Sequence, residues 1–265
     1  MWGFAANLTF LWTELPFLAR FDAAREAGFS HVEYMFPYEH PALDIRARLD
    51  AAGLEQVLFN LPAGDWVGGD RGIACDPARV DEFRAGVEDA IAYAGVLGVG
   101  QLNCLAGLRL DGVPREAQWA TLVDNVGHAA RRLGAAGLRL LVEPVNTYDV
   151  SGFLLPTTVD ALQLIDEVGE PNVALQFDAY HVRRMEGDPT TILSGLLHRV
   201  GHVQIADNPG RHQPGTGEID FAALFALLDG AGYPGTVGLE YIPMPDTASS
   251  LGWRDRFGHA LSERS

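Results

Sequence analysis

The chain contains no lysine; all 19 of its basic residues are arginine. Imine formation with a carbonyl substrate and the anchoring of pyridoxal phosphate both need a lysine amine, so barrel aldolases that work through a Schiff base are excluded. A Walker lysine is excluded with them. Cysteine is scarce too. Cys75 and Cys104 form no metal-type spacing and read as reduced thiols of a cytoplasmic protein. No apolar run reaches the roughly 18 residues of a membrane span, and Met1-Trp2-Gly3-Phe4 lacks the basic region of a signal peptide. Cytoplasmic localisation and no membrane partner are therefore expected. The net charge of −16 argues against a nucleic-acid partner, which would call for a basic patch. No G-x-G-x-x-G follows the first apolar run, which weakens a dinucleotide-binding reading.

Short apolar runs alternate with longer helical patterns. Strands are expected at Phe4–Leu8, His31–Met35, Gln56–Leu61, Gly100–Leu105, Arg139–Glu143, Val173–Asp178, His202–Ile205 and Thr236–Tyr241. Helices are expected near 16–28, 42–53, 78–97, 115–136, 158–168, 189–198, 221–231 and 250–262. Asp76-Pro77, Pro114 and Asp188-Pro189 fit helix starts. Gly28, Gly53, Gly98, Gly137 and Gly232 fit helix ends. Strict alternation implies a parallel sheet, and eight units in 265 residues predict one α/β domain over 1–265, a closed (β/α)8 TIM barrel. The loops 62–77 and 206–220 follow strands and should rim the catalytic end. Symmetric self-association is the default expectation for the oligomeric state.

Four of the later strands end in an oxygen-bearing side chain: Glu143, Asp178, Gln204 and Glu240, spaced by 35, 26 and 36 residues. Charges at the ends of apolar strands are costly unless paired. Converging at one mouth, they predict a divalent ion in a hard oxygen cage, Mg²⁺ or Mn²⁺ rather than zinc. His202 and Gln176 lie one pleat below Gln204 and Asp178, with His202 read as a satisfied core histidine. Gly238 and Thr236, below Glu240, should leave room at the centre. Asn7, Glu33, Asn60 and Asn103, at the ends of the first four strands, read as wall and loop-anchoring groups. Trp12, Phe36, Trp66 and Tyr241 read first as packing, with a water-excluding lid as the alternative. The pairs Arg131-Arg132 and Arg183-Arg184 read as solvated charges.

Several stretches resemble hydroxypyruvate isomerases. They are Asn7-Leu8-Thr9-Phe10-Leu11-Trp12-Thr13-Glu14, Glu143-Pro144-Val145-Asn146, Phe177-Asp178-Ala179-Tyr180-His181, and the run from His202-Val203-Gln204-Ile205-Ala206-Asp207-Asn208-Pro209-Gly210-Arg211 to Ile219. These enzymes are xylose-isomerase-like barrels, with 2-oxo-tetronate isomerases and ketose 3-epimerases as near relatives. The resemblance implies metal ligands Glu143, Asp178, Gln204 and Glu240, a catalytic pair Glu143 and Glu240, and substrate contacts at His181 and Arg211. Gln204 sides with the 2-oxo acid branch, since the sugar epimerases usually carry histidine there. The implied reaction interconverts hydroxypyruvate and tartronate semialdehyde through an enediolate. Arg211 is the expected partner of the substrate carboxylate. Two other classes stay open: an endonuclease IV-type nuclease, which would want a histidine-rich multi-zinc site and a cationic groove, and a non-catalytic ligand-binding barrel.

Overall fold

The computed structural model describes residues 2–257. Eight parallel strands close in sequential order into a barrel. They are β1 (Gly3–Asn7), β2 (His31–Glu33), β3 (Glu55–Asn60), β4 (Gln101–Cys104), β5 (Arg139–Val142), β6 (Val173–Asp178), β7 (Val200–Ile205) and β8 (Thr236–Leu239). All eight expected strands are present. The first pairs with the last through Ala5 opposite Gly238, which closes the ring.

Around it lie α1 (Arg20–Glu26), α2 (Ala42–Ala52), α3 (Val80–Leu97), α4 (Arg115–Ala135), α5 (Thr158–Val168), α6 (Ala179–Met185), α7 (Pro189–Leu196), α8 (Phe221–Gly230) and α9 (Thr247–Ser250). The expected helix near 250–262 is α9 continued by a 3-10 segment over Leu251–Phe257; its remainder lies outside the described residues. Asp188 caps α7 by accepting from the Thr191 N–H at 2.8 Å, with Pro189 in the first turn. Asp76 does not cap α3. It accepts from Ala78 N–H in the turn before, and the helix starts at Val80. The five glycines expected at helix ends all have left-handed φ, between 62° and 85°, which an L side chain resists.

The pleat sorts the side chains. Leu175, Phe177, Val203 and Ile205 join the apolar core between sheet and helices. Their neighbours Gln176, Asp178, His202 and Gln204 are all buried polar residues, and alternation sends them into the lumen. The register then sets Gln176 beside His202, and Asp178 beside Gln204. The barrel interior is thus polar in its upper half, which demands partners for every group.

Candidate active site

Glu143 and Glu240 each stand one residue past a strand, where the backbone leaves the sheet but the inward direction persists. Asp178 ends β6 and also caps a helix that the sequence pattern did not suggest. Its Oδ1 accepts from Tyr180 N–H at 2.8 Å, starting α6 directly from the strand. One turn later α6 returns His181 toward the same place, its Nε2 3.6 Å from Asp178 Oδ2 and 3.9 Å from Glu143 Oε1. Ligand atoms of Glu143, Asp178, His181 and Glu240 all lie within 4.8 Å of one another, and all four residues are buried.

Each carboxylate is held. Glu143 Oε2 accepts from Asn103 Nδ2 at 2.8 Å. Glu240 accepts from Asn7 Nδ2, Gln204 Nε2 and Arg211 Nη2 at 3.2, 2.6 and 2.5 Å. Gln204 reaches the cluster, but its amide oxygen accepts from Gln176 while its nitrogen also donates to Glu33 Oε1. Burial, reinforced by the neighbouring Asp178, pushes the Glu143 carboxyl up to about 8. Burial raises Asp178 and, more strongly, Glu240 above the usual carboxylate range.

His181 has a defined tautomer. The backbone N–H of Asn146, which can only donate, points at Nδ1 at 3.3 Å, and the Asn146 side chain lies 2.7 Å away. The imidazole is neutral, since burial and the nearby Arg211 lower its affinity for a proton. The single proton is therefore on Nε2, and His181 presents a donor to the cluster.

Arg211 comes from the loop after β7. Asp207 organises that loop by accepting from the backbone N–H groups of Asn208, Gly215, Gly217 and Ile219. Gly217 is required there: a Cβ would sit 1.9 Å from Asn208 O. Arg211 itself has φ of 55°, a costly conformation for a non-glycine residue. Its guanidinium lies over Phe10 and Tyr180, and it pairs with Glu240 and Asp178 rather than with Glu218 or Asp220 nearby in sequence. Glu218 pairs instead with Arg183.

Below the cluster the structure departs from the expected empty centre. Glu33 fills it: a Cβ on Gly238 would meet Glu33 Oε1 at 2.2 Å. Glu33 accepts from Asn7 Nδ2 at 3.0 Å and Gln204 Nε2 at 2.8 Å, and pairs with His202 Nε2 at 2.7 Å. His202 is thus a satisfied core histidine, as expected. Asn7, Glu33 and Asn103 do more than line a wall: Asn7 bonds Glu240, Asn103 bonds Glu143, and Glu33 bonds Gln204, which in turn bonds Glu240. A position at the inward end of a strand was the signal for them, and it is common to every barrel wall.

Above the cluster is a cavity of about 110 Å³ lined by Phe10, Trp66, Arg71, His181, Arg211 and Glu240 among others. Trp66 packs on Phe36 with ring centroids 5.0 Å apart. Trp12 and Tyr241 are buried in the core instead.

The donor set suits a hard divalent cation. Asp178 Oδ2, Gln176 Oε1 and Asn103 Oδ1 are buried acceptor oxygens without a hydrogen-bond partner. Three carboxylates and three unpartnered buried oxygens supply the acceptors that an oxygen-liganded ion needs.

The family model described as xylose isomerase-like TIM barrel matches residues 21–257. The chain belongs to that family. It is 47% identical over 257 residues to hydroxypyruvate isomerase of Escherichia coli (strain K12), covering 97% of this chain and 100% of that one. It is 44% identical to 2-oxo-tetronate isomerase of Cupriavidus necator over 94% of this chain and 96% of that one. A crystal structure described as an AP endonuclease, family 2, from Brucella melitensis superposes with a TM-score of 0.93 at 42% identity, covering 97% and 99% of the two chains. With such relatives across nearly its whole length, this xylose isomerase-like barrel is an isomerase. Among the described residues no helix is long and apolar enough to cross a membrane.

Proposed function

We propose that this chain interconverts hydroxypyruvate and tartronate semialdehyde by moving a proton between adjacent carbons. The observation that carries this is the pair Glu143 and Glu240, whose carboxylates end within 4.8 Å of each other beside a small cavity. Shifting a carbonyl to the next carbon requires one group to take the α-proton and another to deliver one, with an enediolate between. Such positioned groups contribute about 10²–10⁴-fold each. Glu143 is oriented by Asn103, whose Nδ2 donates to its Oε2 at 2.8 Å. Glu240 is kept in place by three donors at once. His181 offers Nε2–H to a substrate oxygen. Arg211 keeps a buried Nε–H without a partner and can do the same.

Glu143, Asp178 and Glu240, with the amide oxygen of Gln204, are the residues that would hold Mg²⁺ or Mn²⁺. When bound, the ion polarises the substrate oxygens as a Lewis acid. The amide of Gln204 must then turn its oxygen from Gln176 toward the cluster.

The cavity is well below the roughly 300–1,000 Å³ of larger ligand sites, which favours a three- or four-carbon acid over a hexose. A 2-oxo-tetronate is therefore the nearest alternative substrate, and a ketose 3-epimerase reaction fits less well. A nuclease reading fits poorly, because among the described residues the candidate ligand cluster holds one histidine and three carboxylates, and the net charge is −16.

The test is a panel of hydroxypyruvate, a four-carbon 2-oxo acid and a ketohexose with Mg²⁺ or Mn²⁺, scored for product and for deuterium taken up from solvent. Turnover is expected on the short acids, and Glu240→Gln should lower it about 10²–10⁴-fold. Near-normal activity of that variant would remove Glu240 from the mechanism. Metal binding without turnover on any member would instead favour a binding protein.

A further inference from the structure

An anionic substrate entering this site faces Glu143, Asp178 and Glu240, with Glu33 behind them. It needs a cation that is not already committed. Two guanidiniums line the cavity, Arg71 and Arg211. Arg211 is committed: its Nη2 is 2.5 Å from Glu240 and 3.9 Å from Asp178. His181 is neutral. Arg71 differs. Its Nη1 donates to the carbonyls of Trp66 and Asp70 at 3.0 and 2.6 Å. Its guanidinium carbon lies over the Trp66 ring, 4.2 Å from the centroid. Among the described residues no carboxylate forms an ion pair with it, and neither Nη2 nor Nε makes a hydrogen bond.

The backbone that carries Arg71 is locked. Gly72 has φ of 101°, and a Cβ there would lie 2.2 Å from Leu105 O. Gly72 N–H donates to Ala63 O, and Cys75 N–H to Ala106 O. On the other side, Asp70 Oδ2 is bound by the Asp65 N–H and by Arg79 at 2.7 Å. Arg71 is therefore held at the cavity wall by a braced loop, over an aromatic ring, with one edge of its fork free. That is the geometry a planar carboxylate requires.

We infer that Arg71 is the residue that binds the substrate's carboxylate and selects short 2-oxo acids over uncharged hydroxycarbonyl compounds. This deepens the reading above and rests on it for the reaction, but not for the binding. Arg211 then serves the reacting end, holding Glu240 and offering Nε–H.

The test uses the metal-loaded protein as wild type, Arg71→Gln and Arg71→Lys. Calorimetry measures binding of tartronate, a three-carbon hydroxydiacid that cannot isomerise, and of neutral glyceraldehyde; kinetics are run on hydroxypyruvate. Arg71→Gln should weaken tartronate about 10- to 100-fold, the size of a lost charge-assisted hydrogen-bond pair, and leave glyceraldehyde binding within about 3-fold. The kinetic loss should fall mainly on KM, and Arg71→Lys should restore part of both. A purely structural role would weaken both ligands together and lower the melting temperature. That result, or unchanged tartronate binding, overturns the assignment. If wild type turns over no 2-oxo acid while Arg71→Gln still loses tartronate selectively, the carboxylate subsite stands and the proposed reaction fails.

Discussion

Arg211 Nη2 lies 2.5 Å from Glu240 Oε1 and 3.9 Å from Asp178 Oδ2, so a guanidinium sits against two of the carboxylates that the proposed reaction uses. Its side chain is 17% exposed, Asp178 wholly buried. The pair thus lies between a surface bridge and a fully buried one in strength.

Removing that guanidinium strands two buried acids. Arg211→Gln is expected to destabilise the chelator-treated protein by about 1–3 kcal/mol, less than the 3–5 kcal/mol of a fully buried pair broken on one side. Urea denaturation at neutral pH measures it. Adding Mn²⁺ should narrow the gap between variant and parent, because the ion satisfies the same oxygens. Equal stability without metal would show that Arg211 balances no charge there.

Glu33 is expected to act through Gln204. A carboxylate can accept from Asn7, Gln204 and His202 at once, whereas the amide of Glu33→Gln turns an NH₂ toward a donor. The Glu33 bond holds the Gln204 nitrogen toward the cluster, so its loss frees the amide to turn its oxygen to the ion, and Mn²⁺ affinity, followed by calorimetry, should rise. Gly238→Ala tests the same contact without touching a polar group, since its Cβ displaces Glu33. If both variants bind Mn²⁺ as the parent does, Gln204 does not depend on Glu33.

The pH dependence follows from Glu143. Its folded-state value, pushed up to about 8 by burial and Asp178, lies above the roughly 4.3 of an unfolded glutamate. Between these values the unfolded chain has lost the proton that the folded one keeps, so stability falls as pH rises across the window. The slope is at most about 1.4 kcal/mol per pH unit for this one group. Asp178 and Glu240, also raised by burial, act in the same direction. Thermal melts of chelator-treated protein from pH 5 to 8 should show the decline, and Glu143→Gln should flatten it. Metal binding should release protons in that window and tighten with pH. A melting temperature that rises with pH would refute the assignment.

Much of the barrel was legible because its period is local. Alternating apolar and polar residues in Val173–Asp178 and Val200–Ile205 and the glycines at helix ends write eight units into the chain. α6 was missed because seven residues beginning at a strand's last aspartate carry too short a pattern. The start of α3 lies two residues later than expected, because the turn at Asp76 looks in sequence like the first turn of the helix itself. The strand-end acids Glu143, Asp178 and Glu240 were legible, since a charge closing an apolar run is visible without a structure.

Sequence alone determined the order of strands, the acids at their ends and the absence of a lysine nucleophile, because each depends on a residue and its near neighbours. Tertiary structure decided what those groups face. Glu33 meets His202 across 169 positions and Gln204 across 171, and Arg211 turns to Glu240 rather than to Glu218 a few residues away. Those choices follow from closing the ring: strands distant in sequence share one buried lumen, where donors and acceptors meet partners set far apart along the chain.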